Sequence, residues 1–182
     1  MDRSSLLDLV TSRYAAQHGA APKVTYHELL GERCGGRVCA ALGYRRADRE
    51  QLFLEAYLDA PVEQVLTQQL ARPVSRADIV EIGNLASCNA TAMIGLWART
   101  ANDLGNDAQI AVAVLTAPLR AMFQRLGVSL VKIAKADPAR LAPDGSEWGR
   151  YYDLDPVVCA GFISEGQERL ARFSARLERN AA

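Results

Sequence analysis

The spacing of apolar side chains changes period several times along the chain. Over residues 3–17, Leu6, Leu7, Val10 and Tyr14 fall on one side at helical spacing, which predicts a short amphipathic helix. The Gly-rich stretch from Gly31 to Gly36 reads as a turn. Arg37–Tyr44 predicts a strand. So does Gln51–Leu58, where Leu52, Leu54, Ala56 and Leu58 alternate with Phe53, Glu55 and Tyr57. The polar segment 47–50 would join these two as a hairpin. Pro61 then opens a helix that carries Val62, Val65, Leu66 and Leu70.

Asp78–Leu85 predicts a third strand, followed by the small polar segment Ala86–Thr91. From Ala92 to about Leu104, the residues Met93, Leu96, Trp97, Thr100, Ala101 and Leu104 form one continuous helical face. Gln109–Leu115 is apolar without alternation, as a strand covered on both faces would be. Pro118 suits the first turn of another helix, with Leu119, Met122, Phe123 and Leu126 on its buried side and Gly127 ending it. Val128–Ile133 and Val157–Phe162 predict further strands, separated by a turn-rich stretch from Asp137 to Asp155. Leu170, Phe173 and Leu177 return to helical spacing near the end. The order implies an α/β (α+β) fold: an early antiparallel hairpin, then a strand–helix–strand–helix–strand unit with a right-handed parallel crossover. The 182 residues suit a single domain, with an N-terminal helix in about 1–20 and a C-terminal helix or tail in about 164–182.

Composition narrows the function classes. Lys and Arg number 21, as do Asp and Glu, so no whole-protein field exists to collect nucleic acid or anionic lipid. Asp8 and Arg13 interrupt the apolar residues of the N-terminus, so no secretory signal is expected there. No apolar run approaches the ~18–20 residues that span a bilayer. A cytoplasmic location is the expectation. Cys34, Cys39, Cys88 and Cys159 form no CxxC pair, and only His18 and His27 accompany them, so no metal site is expected. Scattered cysteines in a chain of this size fit free thiols in a reducing compartment.

Candidate chemistry concentrates in Val80-Glu81-Ile82-Gly83-Asn84-Leu85-Ala86-Ser87. Neighbours this apolar place Glu81 within or beside a core sheet, and burial raises a carboxylate pKa toward the range of a general base at neutral pH. Gly83 inside a strand marks a bulge or a close backbone approach, and Asn84 tolerates unusual backbone angles. A bulge here would free strand amides for a ligand. The alternative is a Glu81 at a sheet edge and a Gly83 that only kinks the packing. The following Ser87-Cys88-Asn89-Ala90-Thr91 runs into a helix start, where exposed amides and the helix dipole favour an anion such as phosphate. Simple N-capping by Ser87, Asn89 or Thr91 is the competing use. Cys88 reads as a nucleophile at a helix N-terminus or as an incidental thiol. Arg120 and Arg125 either reach a phosphate or sit on a solvated face. Trp148, Tyr151 and Tyr152 place three aromatics in a turn-rich segment that folds back on the core or lines a pocket.

These residues resemble the thermostable haemolysin family. The matching pieces are YLDAPVEQVL (57–66), IVEIGNLAS (79–87), LRAMFQRLGV (119–128), ADPARL (136–141) and WGRYYDLDP (148–156), in an order that covers roughly residues 25–170. The family is similar in layout to GNAT-type N-acyltransferases and to acyl-homoserine-lactone synthases. The resemblance implies a GNAT-like mixed, mostly antiparallel sheet with a parallel central strand pair, here about 78–85 and 109–115, splayed in a V and flanked by helices. It implies a thioester pantetheine arm lying in the splay and a carrier phosphate at the amides of 87–92. Donor-binding residues would be Leu85, Ala86, Ser87, Cys88, Asn89, Ala90, Thr91, Thr116, Arg120, Phe123 and Arg125, with Trp148 binding substrate.

Glu81 matches the position of a strand carboxylate near the reacting amine of acyl-homoserine-lactone synthases. Those synthases carry an Arg three residues on, where this chain has Asn84, which argues against a homoserine-lactone product. The GNAT phosphate motif Q/RxxGxG/A is replaced by SCNATA, which weakens acyl-CoA as donor relative to acyl carrier protein or another thioester. The expected function is therefore N-acyl transfer from acyl-CoA or the phosphopantetheine of acyl carrier protein to a small amine or amino acid. Glu81 would be the base, amides near Asn84 the oxyanion site, and Tyr151 or Tyr152 the acid for the leaving thiolate. A monomer or homodimer without nucleic-acid partner, membrane segment or metal is expected. The competing readings are a membrane-active haemolysin-type protein and a catalytically degenerate thioester-binding protein.

Overall fold

The computed structural model describes residues 1–141 and 145–181, apart from the side chains of 145, 146, 174 and 176–181. Helix α1 (Arg3–His18) is capped by Asp2, whose side chain accepts from Ser5 N–H, and is ended by Gly19 in the left-handed region. Strands β1 (Glu28–Cys34) and β2 (Arg37–Arg46) form an antiparallel hairpin around Gly35 and Gly36. Helix α2 (Val62–Leu70) precedes β3 (Ile79–Ser87), which leads through α3 (Ala90–Leu104) into β4 (Ile110–Leu115). Helix α4 (Ala117–Arg125), β5 (Val131–Lys135), β6 (Val157–Phe162) and α5 (Ile163–Ala181) complete the chain.

The strands form one sheet in the order β1-β2-β3-β4-β6-β5. Among the described residues only β3 and β4 run parallel, and α3 is their crossover. The mixed sheet with one central parallel pair agrees with the expected layout. The second half of the predicted crossover unit differs, because β6 inserts between β4 and β5 and pairs antiparallel with both. One sheet face packs Ile79, Val112, Val158 and Ala160 against Leu54, Val62 and Leu66. On the other, Ala40 and Leu42 meet Met93, Leu96 and Trp97 of α3 and Leu170 of α5.

Four expectations need correction. Gln51–Leu58 is not a strand: Phe53–Tyr57 forms a 3-10 turn. Strand β2 is already paired with β1 and β3, so a hairpin after Arg46 finds no free edge. The turn is instead fixed by Glu55, which accepts from Leu52 N–H at 2.9 Å and Val62 N–H at 3.1 Å and pairs with Arg76 at 2.7 Å. Gly31 lies inside β1 rather than in a turn, close against Leu6 of α1. The strand expected at Val128–Ile133 starts later, because Val128 N–H closes the end of α4 on Phe123 C=O. The four cysteines are not all free: Cys34 and Cys39 are disulfide-bonded, while Cys88 and Cys159 are thiols. The hairpin brings the pair to a Cα separation of 5.7 Å, within the usual disulfide range. Residues 142–144 of the turn-rich stretch and the side chain of Leu177 lie outside the described residues.

The stretch around Trp148–Tyr151 docks on the end of α1. Arg150 N–H donates to His18 C=O at 2.8 Å, and Ala21 N–H to Glu147 C=O at 2.9 Å. Tyr14 stacks on Tyr151 with ring centroids 6.3 Å apart and meets Trp148 edge-on at 6.2 Å. Gly149 makes the approach possible: its φ is 51°, and a Cβ there would collide with His18 C=O and come 2.9 Å from Gly19. Gly149→Ala is therefore expected to destabilise the chain by about 2 kcal/mol or more, read by urea unfolding. A change under about 0.5 kcal/mol would show that this docking is not needed.

Candidate active site

Strand β3 carries a carboxylate where the sheet is driest. Ile79 and Val80 are fully buried, and Glu81 beside them is 1% exposed. Its two oxygens accept from Phe53 N–H at 2.8 Å and Leu54 N–H at 3.0 Å, the opening amides of the 3-10 turn. Arg45 on β2, itself buried, brings its Nε to 3.5 Å. Desolvation is the largest influence and pushes the Glu81 carboxyl up to about 7, against the lowering effects of the Phe53 amide, Arg45, the Leu54 amide and the Tyr26 hydroxyl. The favourable contacts are many, but the removal of water from both oxygens outweighs them.

Beyond Glu81 the strand changes character. Gly83 pairs with Gly43, and Ala86 pairs with Ala41, so three steps along β3 match two along β2. This is a bulge, and Asn84 within it has a φ of 50°. Its consequence is visible in the packing: Ile82 and Leu85, three apart, both pack against the α3 side, while Ala86 joins the α1 side. The parallel ladder with β4 ends at the same point, since its pairs are Ile79 with Ile110, Val80 with Ala111 and Glu81 with Val112. The two strands therefore part after Glu81, and the amides of β3 beyond it have no partner on β4.

A cavity of about 580 Å³ opens in this gap. At one end it is lined by Ser87, Cys88, Asn89 and Ala90 at the start of α3, with Thr116, Pro118, Leu119 and Met122 opposite. At the other end lie Glu81, Tyr26, Phe53, Tyr57, Trp148 and Tyr151. Gly83, Asn84 and Leu85 run between them, facing Val114. Asn84 is buried, and its Nδ2 makes no hydrogen bond among the described residues. At the helix end, Asn89 caps α3 by accepting from Ala92 N–H at 2.8 Å, so capping does operate there. Cys88 N–H is taken by Cys39 C=O at 2.8 Å. The first-turn amides of Ala90 and Thr91 have no intrahelical acceptor, and no acidic residue occupies that turn.

The structure thus gathers Glu81, Asn84, Leu85, Ser87, Cys88, Asn89, Ala90, Thr116, Trp148 and Tyr151 around one cavity. Other anticipated residues lie elsewhere. Ala86 faces the α1 core, and Thr91 is exposed. Arg120 is occupied by Leu115 C=O and by the carbonyl and carboxylate of Asp155, each at 2.6 Å, so it ties α4 to the segment before β6 rather than reaching a phosphate. Arg125 is exposed and turns back on Ala121 C=O. Phe123 stacks on Trp97 at 3.8 Å and borders a different hollow. Tyr152 shares a hydrogen bond with Tyr57 at 2.7 Å behind the cavity wall. Tyr151 is buried, donates to Val114 C=O at 3.3 Å, and is held well above the ordinary tyrosine pKa by burial.

Tyr26, Tyr14, His18, Arg45 and Tyr57 complete the surroundings and were not anticipated. Arg45 had a sequence signal, a charge in a run of strand residues next to buried ones. Tyr26 had none, because its place depends on two glycines far along the chain.

A second hollow, of about 100 Å³, lies across the sheet and shares Ile82 and Leu85 with the first. Its walls are mostly apolar and include Trp97, Ala113, Phe123 and Leu170. Among the described residues, no helix is long and apolar enough to cross a membrane, and no group of three or more His, Cys, Asp or Glu is placed to hold a metal.

A family model described as thermostable hemolysin matches residues 1–167, and the chain belongs to that family. No curated protein matches it. Among solved structures, the AHL synthase LasI is similar with a TM-score of 0.60 at 13% identity, over 93% of this chain and 89% of that one. FeeM, an N-acyl amino acid synthase from uncultured soil microbes, has a TM-score of 0.59 at 12% identity, over 92% and 94%. MesI, a CoA-dependent acyl-homoserine lactone synthase, has a TM-score of 0.54 at 15% identity, over 93% and 87%. The likeness is one of fold.

A pH dependence of stability follows from Glu81. Its folded pKa, about 7, lies above the ordinary 4.5, so the native state binds this proton more tightly than the unfolded chain. The stabilisation is complete below 4.5 and is lost as pH rises through about 7. Between pH ~5 and ~8 this group should lower stability by up to roughly 3 kcal/mol. In Glu81→Gln, urea unfolding at the two pH values should show a correspondingly smaller decline. The same decline in both proteins would mean that Glu81 does not titrate in this range.

Proposed function

We propose that the chain is an N-acyltransferase, moving an acyl group from a thioester to a small amine with Glu81 as the terminal base. The observation that carries this reading is the cavity itself. It runs from free amides at a helix start, past unpaired strand amides, to a buried carboxylate whose pKa is pushed up to about 7. The fold shared with an AHL synthase and an N-acyl amino acid synthase supports it.

In this reading the pantetheine arm of acyl-CoA or acyl carrier protein lies in the gap between β3 and β4, with its phosphate end at the start of α3 beside Ala90. The amides of β3 near Asn84 and Leu85 hold the thioester carbonyl and stabilise the oxyanion as the amine attacks. Glu81 receives the amine proton. Tyr151, kept protonated by its burial, supplies a proton to the leaving sulfur. No step requires a metal. The apolar hollow behind Ile82 and Leu85 suits the far end of an acyl chain longer than acetyl. The acceptor meets the aromatic end of the cavity, at Tyr57 and Trp148.

Mass spectrometry of cells that express the protein should reveal N-acyl amides absent from controls. Glu81→Gln should remove them and lower purified turnover about 100-fold or more while the fold is kept. Unchanged turnover in that variant would refute Glu81 as base. Ala113→Phe fills the second hollow and should lower the preference for octanoyl-CoA over acetyl-CoA at least about 10-fold, given ~0.8 kcal/mol per buried methylene. An unchanged preference would place the acyl chain elsewhere.

A further inference from the structure

Glu81 is badly placed to meet a substrate by itself. Both of its oxygens already accept backbone N–H groups, and the side chain is 1% exposed. Tyr26 stands beside it and lines the cavity. Its position is built by the sheet. Gly43 and Gly83 pair across β2 and β3, and the Tyr26 ring lies over both. A Cβ at Gly43 would come 2.6 Å from the start of the ring, and a Cβ at Gly83 would fall on the hydroxyl. Two glycines paired at one point of the sheet leave a trough that this ring fills. Arg45 covers the ring with its guanidinium carbon 4.4 Å from the centroid and brings its Nε to 3.5 Å from the Glu81 carboxylate, so ring and carboxylate share one cation, with the hydroxyl over Gly83 two residues along the same strand.

Resting on the acyl-transfer reading, we propose that Tyr26 is the catalytic residue that touches the acceptor amine and relays its proton to Glu81. As the nitrogen bonds to the thioester carbon, the carbonyl π pair moves to oxygen. The N–H proton passes to the Tyr26 oxygen while the phenolic proton passes to the Glu81 carboxylate. The tetrahedral centre then collapses, the C–S bond breaks, and the sulfur leaves with the bonding pair and takes a proton from Tyr151. Glu81 returns its proton to solvent and Tyr151 regains one, so the net exchange is an amine N–H for a thiol S–H. Desolvation and the Glu81 charge hold the Tyr26 pKa well above its ordinary value, so the phenol passes one proton on as it receives another and never holds a charge for long. The groups facing this pair are Arg45 from β2, Tyr57 from the 3-10 turn and Tyr14 from α1, with Glu50 reaching Arg45 at 3.5 Å.

Tyr26→Phe tests the relay, because it keeps the ring in its trough and removes only the oxygen. The assay uses the full chain, octanoyl-CoA as donor, and a panel of amino acids and polyamines. The variant should lose about 100-fold in kcat with the acceptor KM changed under about 3-fold. The acidic limb of its pH profile, where activity rises as Glu81 ionises near 7 in the parent, should move upward because the carboxylate loses the lowering effect of the neighbouring hydroxyl. A readout independent of turnover is the carbon-13 titration of the Glu81 carboxyl, assigned with Glu81→Gln, whose midpoint should rise in Tyr26→Phe. An unchanged midpoint overturns the contact and the relay with it. Full kcat in Tyr26→Phe with none in Glu81→Gln overturns the relay and leaves the base intact. Full kcat in Glu81→Gln overturns both.

Discussion

The structure is organised around one buried carboxylate. An ionised Glu81 without partners would cost many kcal/mol inside the sheet. Three elements converge to reduce that cost: the opening amides of the 3-10 turn, Arg45 from β2, and Tyr26 from the segment before β1. Each charge-assisted hydrogen bond contributes about 1.5–3 kcal/mol, and desolvation still prevails. The carboxyl accordingly titrates near neutrality instead of near 4.5. That balance keeps the group in place in either protonation state and available to take a proton.

A second constraint sits two residues further on. The bulge at Gly83 and Asn84 adds one residue to β3, reverses which side chains face which side, and coincides with the end of the β3–β4 ladder. The gap that results is wide enough for a cavity on one face and a smaller apolar hollow on the other, with Ile82 and Leu85 lining both. The same stretch of strand therefore supplies the base, the free amides and the opening. A regular strand in its place would pair fully with β4 and close the sheet. Asn84 suits this point because its short polar side chain tolerates the left-handed region better than most.

The aromatic wall is assembled from distant segments. Tyr14 and His18 come from α1, Phe53 and Tyr57 from the 3-10 turn, and Trp148 and Tyr151 from the stretch docked on α1 by Gly149. Their stacking and edge contacts lie between 5.3 and 6.3 Å. Such a wall surrounds the carboxylate end of the cavity with aromatic rings, where burial is the largest cause of the raised pKa. Folding energy and site electrostatics thus depend on the same packed rings.

Several features were legible in the sequence because their cause is local. The helical faces of α1, α2 and α3 follow from apolar spacing, and the strand–helix–strand order fixes a parallel crossover. A carboxylate amid Ile79, Val80 and Ile82 pointed to a place in or beside the core, and Gly83-Asn84 to a bulge; the structure decided against a sheet edge and a mere packing kink. Other features depend on what the chain meets after it folds. Gln51–Leu58 alternates as a strand does, yet becomes a turn because both edges of β2 are taken and Glu81 needs its amides. Arg120 and Arg125 carry the charge to bind a phosphate, but only tertiary contacts show Arg120 spent on Asp155 and Arg125 turned outward. Cys34 and Cys39 become partners only when the hairpin closes. Tyr26 becomes a neighbour of Glu81 only because glycines forty residues apart pair across the sheet. Periodicity and local backbone preference are written in adjacent residues; register and long-range pairing are decided by which edges and donors remain free.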